Sequence, residues 1–354
     1  MSLYEREGKA PITMKFFSQH LSKSNRASIM KRLSRVVDRE AFINGPEVAE
    51  LERKLSAYFS RPAATCNSGT DALVLGLKAL GIGPGDEVIT TAFTYFASVE
   101  AIAAVGATPV LVDIDLATFN IDPRRIGARV TRRTKAVLIV HLYGLACDMP
   151  PIVKLCRERG LALVEDCAQS FGARNGGKLT GTFGDVGCFS FFPTKNLGGF
   201  GDGGAATFRS KAVERRFRLL KNHGQPKKYV HAVMGGNSRL DTIQAAVLLE
   251  KLARLEDDLE IRRKRAAAWL KRLSGREDVL ATPTQPGHTF NVFSVLVRDR
   301  SAYAAELDRA GIPWAVYYDL PVYRQGAYRT LFGRQEPLPN AEFAAKHVIS
   351  LPIH

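Results

Sequence analysis

Cysteine is scarce in this chain, and long apolar runs are absent. The 354 residues hold five cysteines, Cys66, Cys147, Cys156, Cys167 and Cys188. The number is odd and no pair has the close spacing of a zinc knuckle or redox motif, so neither a disulfide framework nor a metal site is expected. The cysteines read as buried thiols of a reducing compartment. No run of about 18 apolar residues occurs, which argues against a membrane-spanning helix. Met1 to Lys15 is charged and lacks the apolar centre of a signal peptide, so the expectation is a cytoplasmic protein with no membrane partner. Acidic residues are also few, 35 against 50 lysines and arginines, for a formal charge of +15. Such a charge attracts acidic ligands, phosphate-rich ones included. The basic residues (Arg124, Arg125, Arg132, Arg133, Arg215, Arg216, Arg262, Arg263) are scattered through amphipathic stretches. Without a basic stripe and interleaved aromatics they read as solvated helix faces, with no nucleic-acid partner. No internal repeat or low-complexity segment is present.

What is present is enough apolar material, 45% of residues, for a sizeable core, and the length suits one large and one smaller domain. From about Val36 to Phe208, β-rich runs alternate with helical stretches, as in crossover units around a mostly parallel sheet. The predicted strands are Glu87 to Thr90, Pro109 to Asp113, Ala136 to Leu142, Ala162 to Glu165, Gly187 to Phe192 and Gly204 to Phe208. Several are continuous apolar runs, which suits strands covered on both faces. Asp71 to Leu80, Ser98 to Val105 and Pro151 to Arg159 have helical composition. After Arg239 one long helix is predicted, with Leu240, Ile243, Val247, Leu252, Leu255 and Leu259 on a shared face. Val292 to Val297 and Trp314 to Tyr318 read as strands flanking a helix from Ser301 to Ala310. The fold class is therefore α/β: a large domain over residues 1–239 with an N-terminal helical arm, and an interdomain helix plus a small C-terminal α+β domain over 240–354.

Ligands of open α/β sheets collect beyond the C-terminal ends of the strands, and four segments lie there. Asn67-Ser68-Gly69-Thr70-Asp71 enters a helix, where unpaired N–H groups suit a phosphate, although Ser or Asp at that place also simply caps the helix. Glu165-Asp166-Cys167-Ala168-Gln169 follows an apolar strand, and burial disfavours an ionised carboxylate unless a cation stands beside it. A protonated pyridine nitrogen is such a cation; a metal, a ribose hydroxyl or a helix terminus are the other readings. In Phe189 to Gly204, Lys195 lies among apolar and glycine residues. Desolvation there favours the neutral amine, a nucleophile for a Schiff base; the alternative is a surface lysine in a glycine-rich turn. Gly235-Gly236-Asn237-Ser238-Arg239-Leu240-Asp241, at the expected start of the long helix, offers an anion site or ordinary caps.

The order and spacing of these segments resemble the nucleotide-sugar aminotransferases, the DegT-like branch of the aspartate aminotransferase superfamily. The resemblance runs from Phe42-Ile43-Asn44-Gly45-Pro46 through Ser68-Gly69-Thr70-Asp71-Ala72-Leu73, Gly83-Pro84-Gly85-Asp86-Glu87, Val112-Asp113-Ile114-Asp115, His141-Leu142-Tyr143-Gly144 and the lysine segment to Leu351-Pro352. It implies an aspartate-aminotransferase-like large domain and pyridoxal 5'-phosphate as cofactor. Lys195 would then hold the cofactor covalently and afterwards move the proton, while Asp166 would pair with the pyridine nitrogen. Gln169 would meet the ring hydroxyl, Tyr95 would stack on the ring, and Gly69, Thr70 and Ser190 would form the phosphate cup. Asn237 matches a position supplied by the neighbouring subunit, which implies a homodimer with shared sites. Arg239 is the candidate contact for the substrate's diphosphate or sugar acid, and Tyr317 and Tyr318 belong to the segment that closes over the sugar.

The context of Lys195, His223-Gly224-Gln225 and Asn237 to Ala246 is most similar to enzymes that aminate 3-keto sugars, notably the UDP-2-acetamido-2-deoxy-3-oxo-glucuronate aminotransferases. The implied reaction moves an amino group from glutamate to a UDP- or dTDP-linked 3-keto sugar, for surface polysaccharide such as lipopolysaccharide or for a glycosylated metabolite. Alternatives on the same fold are a 4-keto-sugar aminotransferase, a pyridoxal-phosphate-dependent sugar dehydratase and a non-catalytic regulator. Tyr317 stands where relatives often have His, and Tyr323 where they commonly have His or a short polar residue. The chain also stops at His354, before the helix that usually closes the family's fold.

Overall fold

The computed structural model describes residues 17–19 and 21–353; the charged opening Met1 to Lys15 and the final His354 lie outside them. Helices α1 (Lys23–Arg39) and α2 (Pro46–Phe59) lead into an alternation of strands and helices. It comprises β1 (Ala63–Cys66), α3 (Gly69–Ala79), β2 (Glu87–Thr91), α4 (Ala97–Ala104), β3 (Thr108–Val112), α5 (Pro123–Ile126), β4 (Thr134–Val140), α6 (Met149–Arg159) and β5 (Ala162–Asp166). A short hairpin of β6 (Arg174–Asn175) and β7 (Lys178–Leu179) precedes β8 (Val186–Ser190) and β9 (Gly204–Phe208). These strands, the hairpin apart, form one seven-stranded sheet ordered β1-β9-β8-β5-β4-β2-β3. Its pairs from β3 to β8 are parallel, and β9 alone runs against both neighbours. The sheet is thus mostly parallel within an α/β fold, as the alternation of elements implied.

Burial explains the sequence of these strands. All five residues of β2 and of β9 are buried, which suits continuous apolar or small side chains covered on both faces. Five of the six predicted strands match within two residues at each end, and Gly204 to Phe208 matches throughout. β1 was not predicted. Its Ala-Ala-Thr-Cys sequence has weak β propensity, and only pairing with β9 at Ala63↔Thr207 to Cys66↔Gly204 makes it a strand.

Beyond the sheet come α7 (Lys211–Leu220), α8 (Thr242–Leu252) and α9 (Leu255–Leu273). The single long helix predicted after Arg239 is in fact α8 and α9, broken at Arg254, whose φ of −119° and ψ of 7° leave the helical region. Glu256, Asp257 and Asp258 occupy the first turn of α9, an N-terminal charge signal that marks a second start. The shared face also needs correction. Leu240 precedes α8, and Ile243 is exposed. The helix begins at Thr242, so Asn237 is not at its start; Asn237 bridges to Asn222.

The C-terminal part adds β10 (Val279–Ala281), β11 (Phe293–Val297), α10 (Arg300–Arg309), α11 (Gly326–Phe332), α12 (Pro339–His347) and β12 (Val348–Leu351). Strands β10, β11 and β12 form an antiparallel sheet with its own apolar cluster around Val295, Leu307 and Ile349. Trp314 to Tyr318 is no strand: it makes one bridge, Ala315 to Ser350, and Tyr318 then turns to a φ of 65°. All five cysteines are buried and free. Arg262 departs from the solvated-face expectation: it is buried and donates to the Phe290 carbonyl. Among the described residues, no helix is long and apolar enough to cross a membrane.

Candidate active site

The C-terminal ends of β1, β2, β5 and β8 surround a cavity of about 640 Å³. Each contributes a side chain or a helix end. After β1 the chain turns at Ser68, whose Oγ accepts from the Asp71 N–H at 3.1 Å and caps α3. The cap reading of that serine is therefore right, and it leaves the Gly69 and Thr70 amides, without a partner among the described residues, at the positive end of the helix. Gly69 is required by packing: a Cβ there would lie 2.6 Å from the Ser190 Cβ at the end of β8. The contact brings Gly69, Thr70 and Ser190 to one wall of the cavity.

Asp166 ends β5. Its Oδ2 accepts from the Ser98 hydroxyl at 2.8 Å and its Oδ1 from the Ala168 N–H at 3.1 Å. Burial pushes the Asp166 carboxyl up, against the pull of these two donors and of Lys195. Each oxygen keeps a further lone pair with which the carboxylate can accept from a cationic donor. Behind it, His141 and Glu165 form a fully buried pair at 3.0 Å. Glu165 also accepts the N–H groups of Gly181, Phe183 and Gly184, and His141 Nδ1 accepts from Cys147. With both ring nitrogens engaged, His141 has no lone pair for a metal even though Cys167 lies beside it. The pair anchors the strand end that presents Asp166, and although burial pushes the Glu165 carboxyl up, His141 and the Gly184 and Gly181 amides outweigh it and hold the group below its usual range.

Lys195 follows β8 in a glycine-rich loop that bonds back on itself, Lys195 N–H to the Phe192 carbonyl and Gly199 N–H to the Phe191 carbonyl. Gln244 accepts from the Phe200 N–H, and Gln19 donates to the carbonyls of Pro193 and Gly199. The lysine is half-buried in the cavity wall and is not a surface residue of a loose turn. Desolvation pulls its ammonium down to about 8, opposed by the Asp166 carboxylate.

Gln169, Tyr95, Tyr317 and Tyr318 line the same cavity. Tyr95 is 63% exposed, an aromatic face left bare at the mouth. Gln169 Oε1 accepts from the Tyr143 N–H and its Nε2 donates to the Tyr318 hydroxyl, both at 2.7 Å; the second proton on Nε2 stays available. Tyr323 does not reach the cavity. It is buried at its own ring, donating to Glu342 and accepting from the Leu338 N–H. Asn237 and Arg239 are also absent from the cavity of their own chain: Asn237 is exposed, and Arg239 donates to Asn222 at 3.0 Å. Ser98, from its sequence only the start of a helix, joins the site as a donor to Asp166. Its signal was faint, the one hydroxyl in the otherwise apolar and small helix Ala97–Ala104 apart from Glu100.

These features fit pyridoxal phosphate: a helix N-terminus with free amides for the phosphate, a buried carboxylate with spare acceptor capacity for a ring cation, and an amine of lowered basicity in the same cavity.

Known proteins are similar to this chain throughout. The model of the DegT/DnrJ/EryC1/StrS aminotransferase family matches residues 23–354. A "pleiotropic regulatory protein" of Geobacillus stearothermophilus is 43% identical over 330 residues, 92% of this chain and 89% of the relative. The UDP-2-acetamido-2-deoxy-3-oxo-D-glucuronate aminotransferase of Pseudomonas aeruginosa is 41% identical over 326 residues, covering 91% and 89%. Among solved structures, S. venezuelae DesV in complex with a ketimine intermediate superposes with a TM-score of 0.90 at 41% identity, covering 93% of this chain and 90% of that one.

Proposed function

This chain belongs to the DegT/DnrJ/EryC1/StrS aminotransferase family, and from that we propose that it transfers an amino group from glutamate to a nucleotide-linked 3-keto sugar. The observation that carries the reading is the meeting of Lys195, Asp166 and the α3 N-terminus in one cavity. Pyridoxal 5'-phosphate is the cofactor of such enzymes, two solved relatives being in its aldehyde and amine forms. When bound it supplies a carbon that holds the migrating nitrogen and a ring that takes up electrons.

In this reading Lys195 anchors the cofactor and then carries the proton, a role that needs an amine with a pKa near the working pH. Asp166, held by Ser98 and Ala168, faces the ring nitrogen and keeps it protonated. Gln169 turns the free proton of its Nε2 toward the ring hydroxyl, and Tyr95 covers the ring face. Gly69, Thr70 and Ser190 receive the phosphate. Tyr317 and Tyr318 close over the sugar. Asn237 and Arg239 serve the cavity of a neighbouring copy, Arg239 at the diphosphate or sugar acid, so the working unit is a homodimer. The exposed Tyr229 and Met234, 81% and 93% accessible on the same excursion as Asn237, support a partner there. The division of the chain after residue 239 belongs to the same proposal, as does a cytoplasmic place in amino-sugar supply for surface polysaccharide or a glycosylated metabolite.

The purified protein is expected to carry a visible absorption band that Lys195→Ala loses on dialysis against glutamate. Unchanged absorbance and turnover in that variant would sink the assignment. Release of 2-oxoglutarate with a panel of 3-keto and 4-keto nucleotide sugars tests regiochemistry, and a preference for 4-keto sugars overturns it. A second reading, a regulator, is favoured by the name of the relative from Geobacillus stearothermophilus and the charge of +15. DNA binding that survives physiological salt in a gel shift supports it.

A further inference from the structure

Hydrogen-bond polarity in the cavity is set from the backbone outward. Tyr143 has a φ of 57° and a ψ of 5°, a left-handed conformation that bulky residues rarely adopt. Its O–H donates to the Tyr317 carbonyl and its carbonyl accepts from Val292. At the next residue, Gly144, a Cβ would lie 2.6 Å from the Thr289 Oγ1. The corner so fixed aims the Tyr143 N–H at Gln169, whose Oε1 accepts it at 2.7 Å.

A backbone N–H only donates, so the amide oxygen of Gln169 must face Tyr143 and its nitrogen must face the other way. That nitrogen donates to the Tyr318 hydroxyl at 2.7 Å. Tyr318 is itself left-handed, φ 65°. Its ring stacks on Tyr143 (6.0 Å, 13°) and meets Phe93 edge-on (5.8 Å, 89°). The phenol is thereby held where it lines the cavity. Because its oxygen already accepts, the remaining capacity of the hydroxyl that matters is its own proton, for which no acceptor stands among the described residues.

We infer that Tyr318 is a built-in hydrogen-bond donor to the ketone oxygen of the acceptor substrate, with its polarity imposed by the chain Tyr143 N–H, Gln169 amide, Tyr318 O–H. The inference rests on reading this cavity as the transamination site. When an amine adds to a ketone, the new carbon–nitrogen bond forms as the carbon–oxygen π bond breaks, and that electron pair moves onto oxygen. A fixed donor at that oxygen stabilises the developing charge. The phenol keeps its proton while doing so, burial holding it above its ordinary range.

Tyr318→Phe removes the donor. Gln169→Glu reverses the polarity: a carboxylate accepts from both Tyr143 and Tyr318 and takes the phenol's proton away from the ketone. In single turnovers of the amine-loaded protein with a UDP-linked 2-acetamido-3-keto sugar, both variants are expected to react about 100- to 1000-fold more slowly, the usual scale for losing one such donor. Tyr318→Phe should slow the ketone step much more than it slows bleaching of the visible band by glutamate, which precedes ketone release. Independently of turnover, the infrared stretch of 2-oxoglutarate labelled with carbon-13 at the ketone, bound to the aldehyde-loaded protein, should lie lower in the native protein than in either variant. Native ketone rates in either variant, equal slowing of every step in Tyr318→Phe, or an infrared band that neither variant moves would each overturn the inference. Absence of any visible band in the native protein would instead overturn the transamination reading beneath it.

Discussion

An ordinary lysine keeps its proton to about pH 10.4, whereas Lys195 holds it to about 8. The difference makes roughly 200-fold more neutral amine available near pH 7. Combination of the cofactor-free protein with pyridoxal phosphate, followed by the visible band, should therefore accelerate about tenfold per pH unit up to about 8 and level off above it. A rate that still climbs to pH 10 would show that another amine reacts. The type of this residue was legible in the sequence but its basicity was not, because desolvation comes from cavity walls drawn from strands and loops far apart in the chain. Tyr317 and Tyr323 make the same point. Both depart from the resembling family's pattern, yet only Tyr317 lines the cavity, while the ring of Tyr323 is claimed by Glu342 and Leu338. Nothing local to Tyr323 announces a partner 19 residues away.

The loop from β1 into α3 carries a comparable conflict of forces. Alanine at position 69 would gain up to about 1 kcal/mol of helix propensity over glycine. Its Cβ would, however, sit 2.6 Å from the Ser190 Cβ and 3.1 Å from the Ser190 Cα, atoms of a buried central strand that cannot move aside. The clash should prevail: Gly69→Ala is expected to keep its fold by circular dichroism while losing about 10-fold or more in cofactor affinity by equilibrium dialysis. Native affinity would mean that the phosphate is held elsewhere. Elements with a strong periodic or continuous apolar signal, β2, β9 and α10 among them, were readable from the sequence. The α8–α9 break was missed because apolar residues recur across it, and Trp314 to Tyr318 because its β-like composition serves a cavity wall instead of a sheet.

For the whole molecule, the apolar residues left bare are informative. Met30, Val37, Phe42, Ile43, Tyr229, Val233 and Met234 are all exposed, and Asn237 and Arg239 have no place in their own cavity. The homodimer proposed above would account for both. Sedimentation should give a dimer, and Met234→Asp should shift it toward monomer and lower turnover although Lys195 is untouched. Mixing inactive Lys195→Ala with inactive Asn237→Ala should restore activity in up to about one quarter of the sites, since random exchange makes half the dimers mixed and each of those has one intact site. No recovery after proven subunit exchange would refute shared sites. By itself the sequence determined the alternation of strands and helices, the mostly parallel sheet and the short segments at strand ends where chemistry gathers. These depend on local pattern and on the rule that ligands bind beyond parallel strands. The tertiary structure alone decided how basic Lys195 is, that Ser98 supports Asp166, that Gln169 and Tyr318 share a directed hydrogen bond, and that Asn237 faces away from its own cavity. Those properties arise from solvent exclusion and from donors and acceptors far apart in the chain, and no window of neighbouring residues contains them.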